Sequence, residues 1–158
     1  MYTAGLEYDR HSWGYFLKAR MDYTAEFLPF MLLNSPTVTA PWGQPLTTDR
    51  KLVPGIGICP IGFRMMWRDR KAIKPYFMAK GGILVFDQKV LYKDASYENF
   101  TFQTAVGLYT RLNSRFDLRL GLFSDIHFSN AFVVPINPGT DMMNANLGLT
   151  YHLNRDRH

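Results

Sequence analysis

The sequence is short of several things, and each shortage closes off a class of function. It holds one cysteine, Cys59, so no disulfide can form within the chain. No apolar run is long enough for a membrane-spanning helix. No basic stretch followed by an apolar one opens the chain as a secretory leader would. His11, His152 and His158 have no ligand spacing and no Cys/His cluster exists, so neither a metal nor another cofactor is expected. The glycine-rich stretch PGIGICPIG, Pro54–Gly62, lacks the G-x-G-x-x-G pattern and no helix follows it, which argues against a nucleotide site. A helical period is missing throughout.

What the chain does have is alternation. From Tyr15 to Phe27 one face reads Tyr15, Leu17, Ala19, Met21, Tyr23, Ala25 and Phe27, and the other Phe16, Lys18, Arg20, Asp22, Thr24 and Glu26. The same period of two recurs at Met1–Asp9, Ile61–Arg68, Tyr76–Val85, Phe100–Tyr109, Arg115–Phe128 and Met143–His152. Such alternation marks strands with unlike faces, so the fold class is all-β, in one domain over residues 1–158. With 47% apolar residues the chain has enough to bury and is not of disordered composition. The formal charge of +5 could suit anionic lipid, nucleic acid or no particular partner. However, Arg64, Lys80, Arg111 and Arg119 alternate with apolar residues on separate strands, which favours interior ion pairs over a nucleic-acid face.

The strands are long. A tilted membrane-crossing strand needs roughly 9–11 residues, whereas soluble strands more often run about 5–6. Charged residues, glycines and amides share one face, as in a small membrane barrel with a polar interior. A soluble ligand-binding barrel would reverse the faces. Tight polar links, Asp9–Ser12, Arg68–Lys71 and Leu112–Arg115, alternate with long ones, Asn34–Arg50, Asp87–Glu98 and Ala131–Asp141. That is the outer-membrane arrangement of short periplasmic turns and long extracellular loops. The expected architecture is an antiparallel up-and-down transmembrane β-barrel of the eight-stranded type. Seven strands are legible and bacterial single-chain barrels are even-numbered, so a missing N-terminal strand, hence an N-terminally truncated chain, is also expected. Lys51, Lys89 and Lys93 fall in the long loops, where lipid phosphates or solvent could meet them.

One stretch asks for chemistry. HFSNAFVVPINPGTD, His127–Asp141, sets a histidine and a serine two residues apart, then an asparagine, an Asn-Pro-Gly turn and an aspartate. A hydroxyl is a weak nucleophile near neutral pH and needs a base within reach. Residues i and i+2 of a strand share a face roughly 6–7 Å apart, a gap an imidazole can close. Asp141, returning on the next strand, can face His127 and fix its tautomer. Asn130 could donate to an oxyanion or hold the loop. Asn137, Pro138 and Gly139 read as turn geometry supporting the site, with Gly139 free to take positive φ. Asp125 is an alternative acid, more readily read as an arginine partner. Strict alternation would put His127 and Ser129 on the polar, inner face. A β-bulge near Ser124 and Asp125 would turn them outwards and bring Ile126 and Phe128 in.

The motif HFSNA (His127, Ser129, Asn130, Ala131), followed by NPGTD (Asn137, Pro138, Gly139, Asp141) and the closing LGLTYHL, resembles the lipid A 3-O-deacylase family, the PagL-like outer-membrane esterases. The resemblance implies an eight-stranded barrel in the bacterial outer membrane, with lipid A of lipopolysaccharide as substrate. It also implies a Ser-His-acid triad of Ser129, His127 and Asp141, the acid often being glutamate in that family. No cofactor and no nucleic acid are implied, and a homodimer is left open. A non-catalytic barrel keeping the motif as a strand end, or a soluble barrel, are the other readings of the residues alone.

Overall fold

A computed structural model describes residues 1–40, 44–92, 94–131 and 139–153, with Ser12 described by its backbone alone. Seven strands follow one another in chain order: β1 (Tyr2–Phe16), β2 (Ala19–Pro36), β3 (Arg50–Met66), β4 (Ile73–Phe86), β5 (Glu98–Arg111), β6 (Phe116–Asn130) and β7 (Gly139–Tyr151). Each pairs antiparallel with its neighbour, giving one up-and-down sheet with β1 and β7 at its edges. The strands run from 13 to 18 residues, longer than a bilayer crossing requires. Arg119 of β6 reaches Glu7 of β1, and Lys80 of β4 reaches Glu7 at 3.0 Å, so the sheet curls until its distant strands meet across the interior. This is the barrel architecture expected from the alternation.

The faces are inside-out relative to a soluble protein. Ile56, Ile61, Phe102, Val106, Leu120 and Leu147 stand exposed on the outer surface. Inside, Arg20, Arg64, Lys74, Lys80 and Arg119 meet Glu7, Asp9, Asp22, Glu26 and Asp117. Arg64 is the hub. It holds Asp9 at 2.6 Å and Asp22 at 2.8 Å, and donates to the Tyr109 hydroxyl at 2.5 Å. A buried guanidinium can satisfy several acceptors at once because its donors form a fixed fork. The ionic layer fills the half of the interior nearer the short turns, beside Tyr76 and Tyr109 packed edge to face at 5.0 Å. The other half is apolar: Leu28, Met31, Leu33, Val53, Leu84, Phe86, Ile126 and Phe128 pack under Val90, Leu91, Tyr92 and Ala95 of the β4–β5 loop. Arg111, expected among the interior pairs, instead lies exposed at the short-turn end of β5.

The change from ionic to apolar filling coincides with bulges. In β2, Leu28 pairs with Gly57 and Met31 with Gly55, so Pro29 and Phe30 oppose Ile56 alone. In β3, Ile58 pairs with Ile83 and Ile61 with Gly81, leaving Cys59 and Pro60 against Gly82. Proline is tolerated at such points because no ladder bond needs its missing N–H. In β6, Gly121 pairs with Asn146 and Ser124 with Asn144, so Leu122 and Phe123 oppose Ala145. A Cβ on Gly107, across from this bulge on β5, would lie 2.1 Å from the Leu120 carbonyl oxygen, so the close approach requires glycine there. Each extra residue exchanges the inner and outer sets of the strand beyond it.

The first turn is not where polarity suggests. Asp9–Ser12 continue β1, and the chain reverses at Leu17–Lys18, both at positive φ (47° and 61°) as a two-residue hairpin turn of the I′ kind requires. Two residues of the polar run reach inward: Asp9 binds Arg64, and His11 Nδ1 lies 3.2 Å from Asp22. Between His11 and Tyr15 the register slips, with Gly14 at a φ of 71°.

Removing the hub should expose how much the ionic layer contributes. Arg64→Ala leaves Asp9 and Asp22 buried without their main partner, and breaking a buried pair from one side costs about 3–5 kcal/mol. The urea midpoint of the detergent-refolded barrel, followed by its heat-modifiable gel band, is expected to fall accordingly. An unchanged midpoint would assign the stability elsewhere.

Candidate active site

Because of the Leu122–Phe123 bulge, β6 reaches its long-loop end in inverted phase. Ile126 and Phe128 are buried among the apolar filling, while His127 and Ser129 turn to the outer surface. The inversion foreseen near Ser124 and Asp125 thus occurs two residues earlier. β7 has no bulge in this stretch, and Asp141 faces outwards with Met143 and Ala145.

Register then decides the partners. His127 pairs directly with Asp141, and Ser129 with Gly139. His127 Nδ1 lies 2.7 Å from Asp141 Oδ1. An ionised carboxylate only accepts, so this contact puts the ring proton on Nδ1 and leaves the Nε2 lone pair free. The ring extends from Asp141 toward the Ser129–Gly139 pair. A Cβ on Gly139 would lie 2.7 Å from His127 Cε1 and 3.1 Å from Nε2. Gly139 therefore serves the site by leaving room for the imidazole, not through a positive φ, which among the described glycines only Gly14 has. Composition alone could not show this role, but placing Asp141 opposite His127 automatically sets Gly139 under the ring's far edge. Ser129 is partly exposed beside the ring, and among the described residues no hydrogen bond joins its hydroxyl to His127.

The other expected residues separate. Asn130 is 2% exposed and shares the face of Phe128, so its side chain points inwards, away from Ser129. Its Oδ1 and Nδ2 have no partner among the described residues. A side chain on the opposite face of the strand cannot reach an oxyanion at Ser129, which corrects that reading. Asn137 and Pro138 lie outside the described residues. Asp125 shares the outer face with His127, and among the described residues it pairs with no arginine and its buried Oδ1 has no partner. A cavity of about 200 Å³ lined by Leu33, Arg50, Leu91, Phe128, Thr140 and Met142 lies behind β6 and β7, on the interior side. The candidate site is the open outer face: His127 and Asp141 are 44% and 69% exposed.

Residues 4–150 match the model of the family described as lipid A 3-O-deacylase (PagL). The chain belongs to that family. No curated protein and no solved structure matches it. The PagL match takes in all seven strands apart from the outermost residues of β1 and β7, so it embraces the barrel and the His127–Asp141 segment together. For a PagL-family chain the space over Gly139 becomes testable. Gly139→Ala must push the imidazole, and were that ring the base of the reaction, a displacement of about 1 Å would cost on the order of 100-fold in rate. Lipid A deacylation is expected to drop by that order with heat-modifiable folding unchanged. Full activity would mean that the ring does not need the space.

Proposed function

We propose that the chain is an outer-membrane esterase that hydrolyses an ester-linked acyl chain at the 3-position of lipid A, using Ser129, His127 and Asp141. The observation that carries this reading is the 2.7 Å His127–Asp141 pair on the outer face beside Ser129, in a member of the lipid A deacylase family. Ser129 Oγ attacks the ester carbonyl while His127 Nε2 takes its proton. The tetrahedral intermediate collapses, and the imidazolium returns the proton to the departing sugar oxygen. Water, deprotonated by the same nitrogen, then releases the fatty acid from Ser129. Asp141 orients the ring and stabilises its charged form throughout. No cofactor enters these steps.

Position supports substrate choice. Lipid A lies in the leaflet on the long-loop side of an outer-membrane barrel, and an outward-facing site meets it sideways. Below the site the wall offers Phe123, Met143 and Leu147, an apolar track for acyl chains. Within a bilayer the unpaired edges of β1 and β7 need partners. Both edges run in the same direction, so one further strand antiparallel to both would close the barrel at eight.

Substitution separates chemistry from scaffold. Ser129→Ala should lower deacylation by several orders of magnitude, as triad losses do, with folding intact. His127→Ala should cost about as much, because the two residues act as a unit. Asp141→Asn should cost less, since it spoils orientation without removing a reacting atom. Ser124→Ala, one strand with the site but facing the interior, should leave the rate unchanged. Mass analysis of lipid A after incubation with each variant is the measurement, and near-normal product from Ser129→Ala would return the chain to a structural role.

A further inference from the structure

Among the described residues, unpaired positive charge gathers at one end of the barrel. The buried ion pairs balance, with five cations set against five carboxylates. The long-loop end is mixed, with Arg50, Lys51 and Lys89 among Asp49, Asp87, Asp94 and Glu98. The short-turn end is not. Lys18, Arg68, Arg70, Lys71, Arg111 and Arg115 are all exposed there, and the one acid among them, Asp69, accepts a 2.8 Å hydrogen bond from Tyr15. None of the six has a salt bridge to a described carboxylate. Six unpaired like charges repel one another, an arrangement that needs an anionic counterpart to be favourable.

The same turns carry apolar side chains at their tips. Leu17, next to Lys18, is 69% exposed, and Leu112, next to Arg111, is 54% exposed. Ile73 is exposed just after Arg70 and Lys71. Trp13, Tyr15, Phe16 and Tyr151 ring the wall immediately above. Turns protruding into bulk water would have no use for exposed leucines. Turns lying at headgroup depth would, with aromatic rings at the boundary and cationic tips reaching the phosphates.

We propose that this rim is a binding surface for anionic phospholipid headgroups, such as phosphatidylglycerol, in the leaflet opposite lipid A. The proposal rests on the membrane orientation given above but not on the esterase chemistry. Each short turn joins a hydrophobic tip to one or more cations, so the rim would gather anionic lipids and fix the depth of the barrel. The interior supplies no competing attraction because it is already neutral.

The full chain refolded into mixed phosphatidylcholine–phosphatidylglycerol vesicles tests this, using spin-labelled copies of each lipid to count which one the protein immobilises. Phosphatidylglycerol is expected to associate at least about threefold more strongly at low salt, since each surface cation adds to the attraction. Most of that preference should vanish in 1 M salt, where the screening length is about 3 Å. Changing the six rim cations to glutamine should abolish the preference. Arg70→Gln with Lys71→Gln, a smaller change, should reduce it measurably even if the sixfold variant does not fold. Arg50→Gln with Lys51→Gln, at the opposite end, should leave it intact, and so should inactive Ser129→Ala. Equal association of the two lipids with the unsubstituted protein would overturn the proposal. So would a preference that survives rim neutralisation or that disappears with the Arg50 and Lys51 changes.

Discussion

A protein whose outer wall is apolar cannot also fill its centre with apolar side chains along its whole length and keep a distinct inside and outside. The charged residues displaced from the wall must go inward, and once there they must neutralise one another. Arg64, with Asp9 and Asp22 at 2.6 and 2.8 Å, meets that demand at one level, and Lys80 between Glu7 and Glu26 meets it at the next. These contacts join β1, β2, β3 and β4 through side chains and draw β6 in through Arg119. Unpaired, any one of these charges would cost several kcal/mol in the low-dielectric interior. Curl, strand order and the inward position of so many polar residues all follow from this requirement.

The site depends on the interior giving way to something else. Near the long loops the ionic filling ends, and the β4–β5 loop lowers Val90, Leu91, Tyr92 and Ala95 onto an apolar layer. Ile126 and Phe128 belong to that layer, and burying them is what forces His127 and Ser129 outwards. The outward position of His127 and Ser129 is therefore held by hydrophobic packing behind them, not by polar contacts around them. Asp141 is a surface carboxylate, and its register opposite His127 is fixed by ladder bonds along β6 and β7.

Much of this was legible in the residues. Period-two alternation revealed the strands, their inside-out faces and the short–long rhythm of the links. The HFSNA and NPGTD segments pointed to the family, and the register did bring His127 and Asp141 together. What escaped was cross-strand information. Asp9–Ser12 looked like a turn because a strand that sends Asp9 and His11 to an ionic interior has the composition of a turn. Leu17 and Lys18, the true reversal, carry none of the usual signals. The bulge was inferable from the conflict between a lipid substrate and strict alternation, but its position depends on Ala145 and Gly107 opposite. Asn130 looked like a donor until the inverted phase placed it inside. Gly139 was read by its backbone freedom, whereas its contribution is the missing side chain beneath an imidazole two strand positions away. Asp125 has no arginine because the same inversion took it out of the ionic layer.

The bulge at Leu122–Phe123 also bears on how such an enzyme could arise. An inert barrel strand with a polar residue at every second position already owns histidines and serines, pointing inwards where no lipid can reach them. Gaining one residue in mid-strand presents that whole set to the membrane in a single event, leaving the lower half of the strand untouched. Losing it reverses the change just as completely. For this architecture, the distance between scaffold and catalyst can be a single codon.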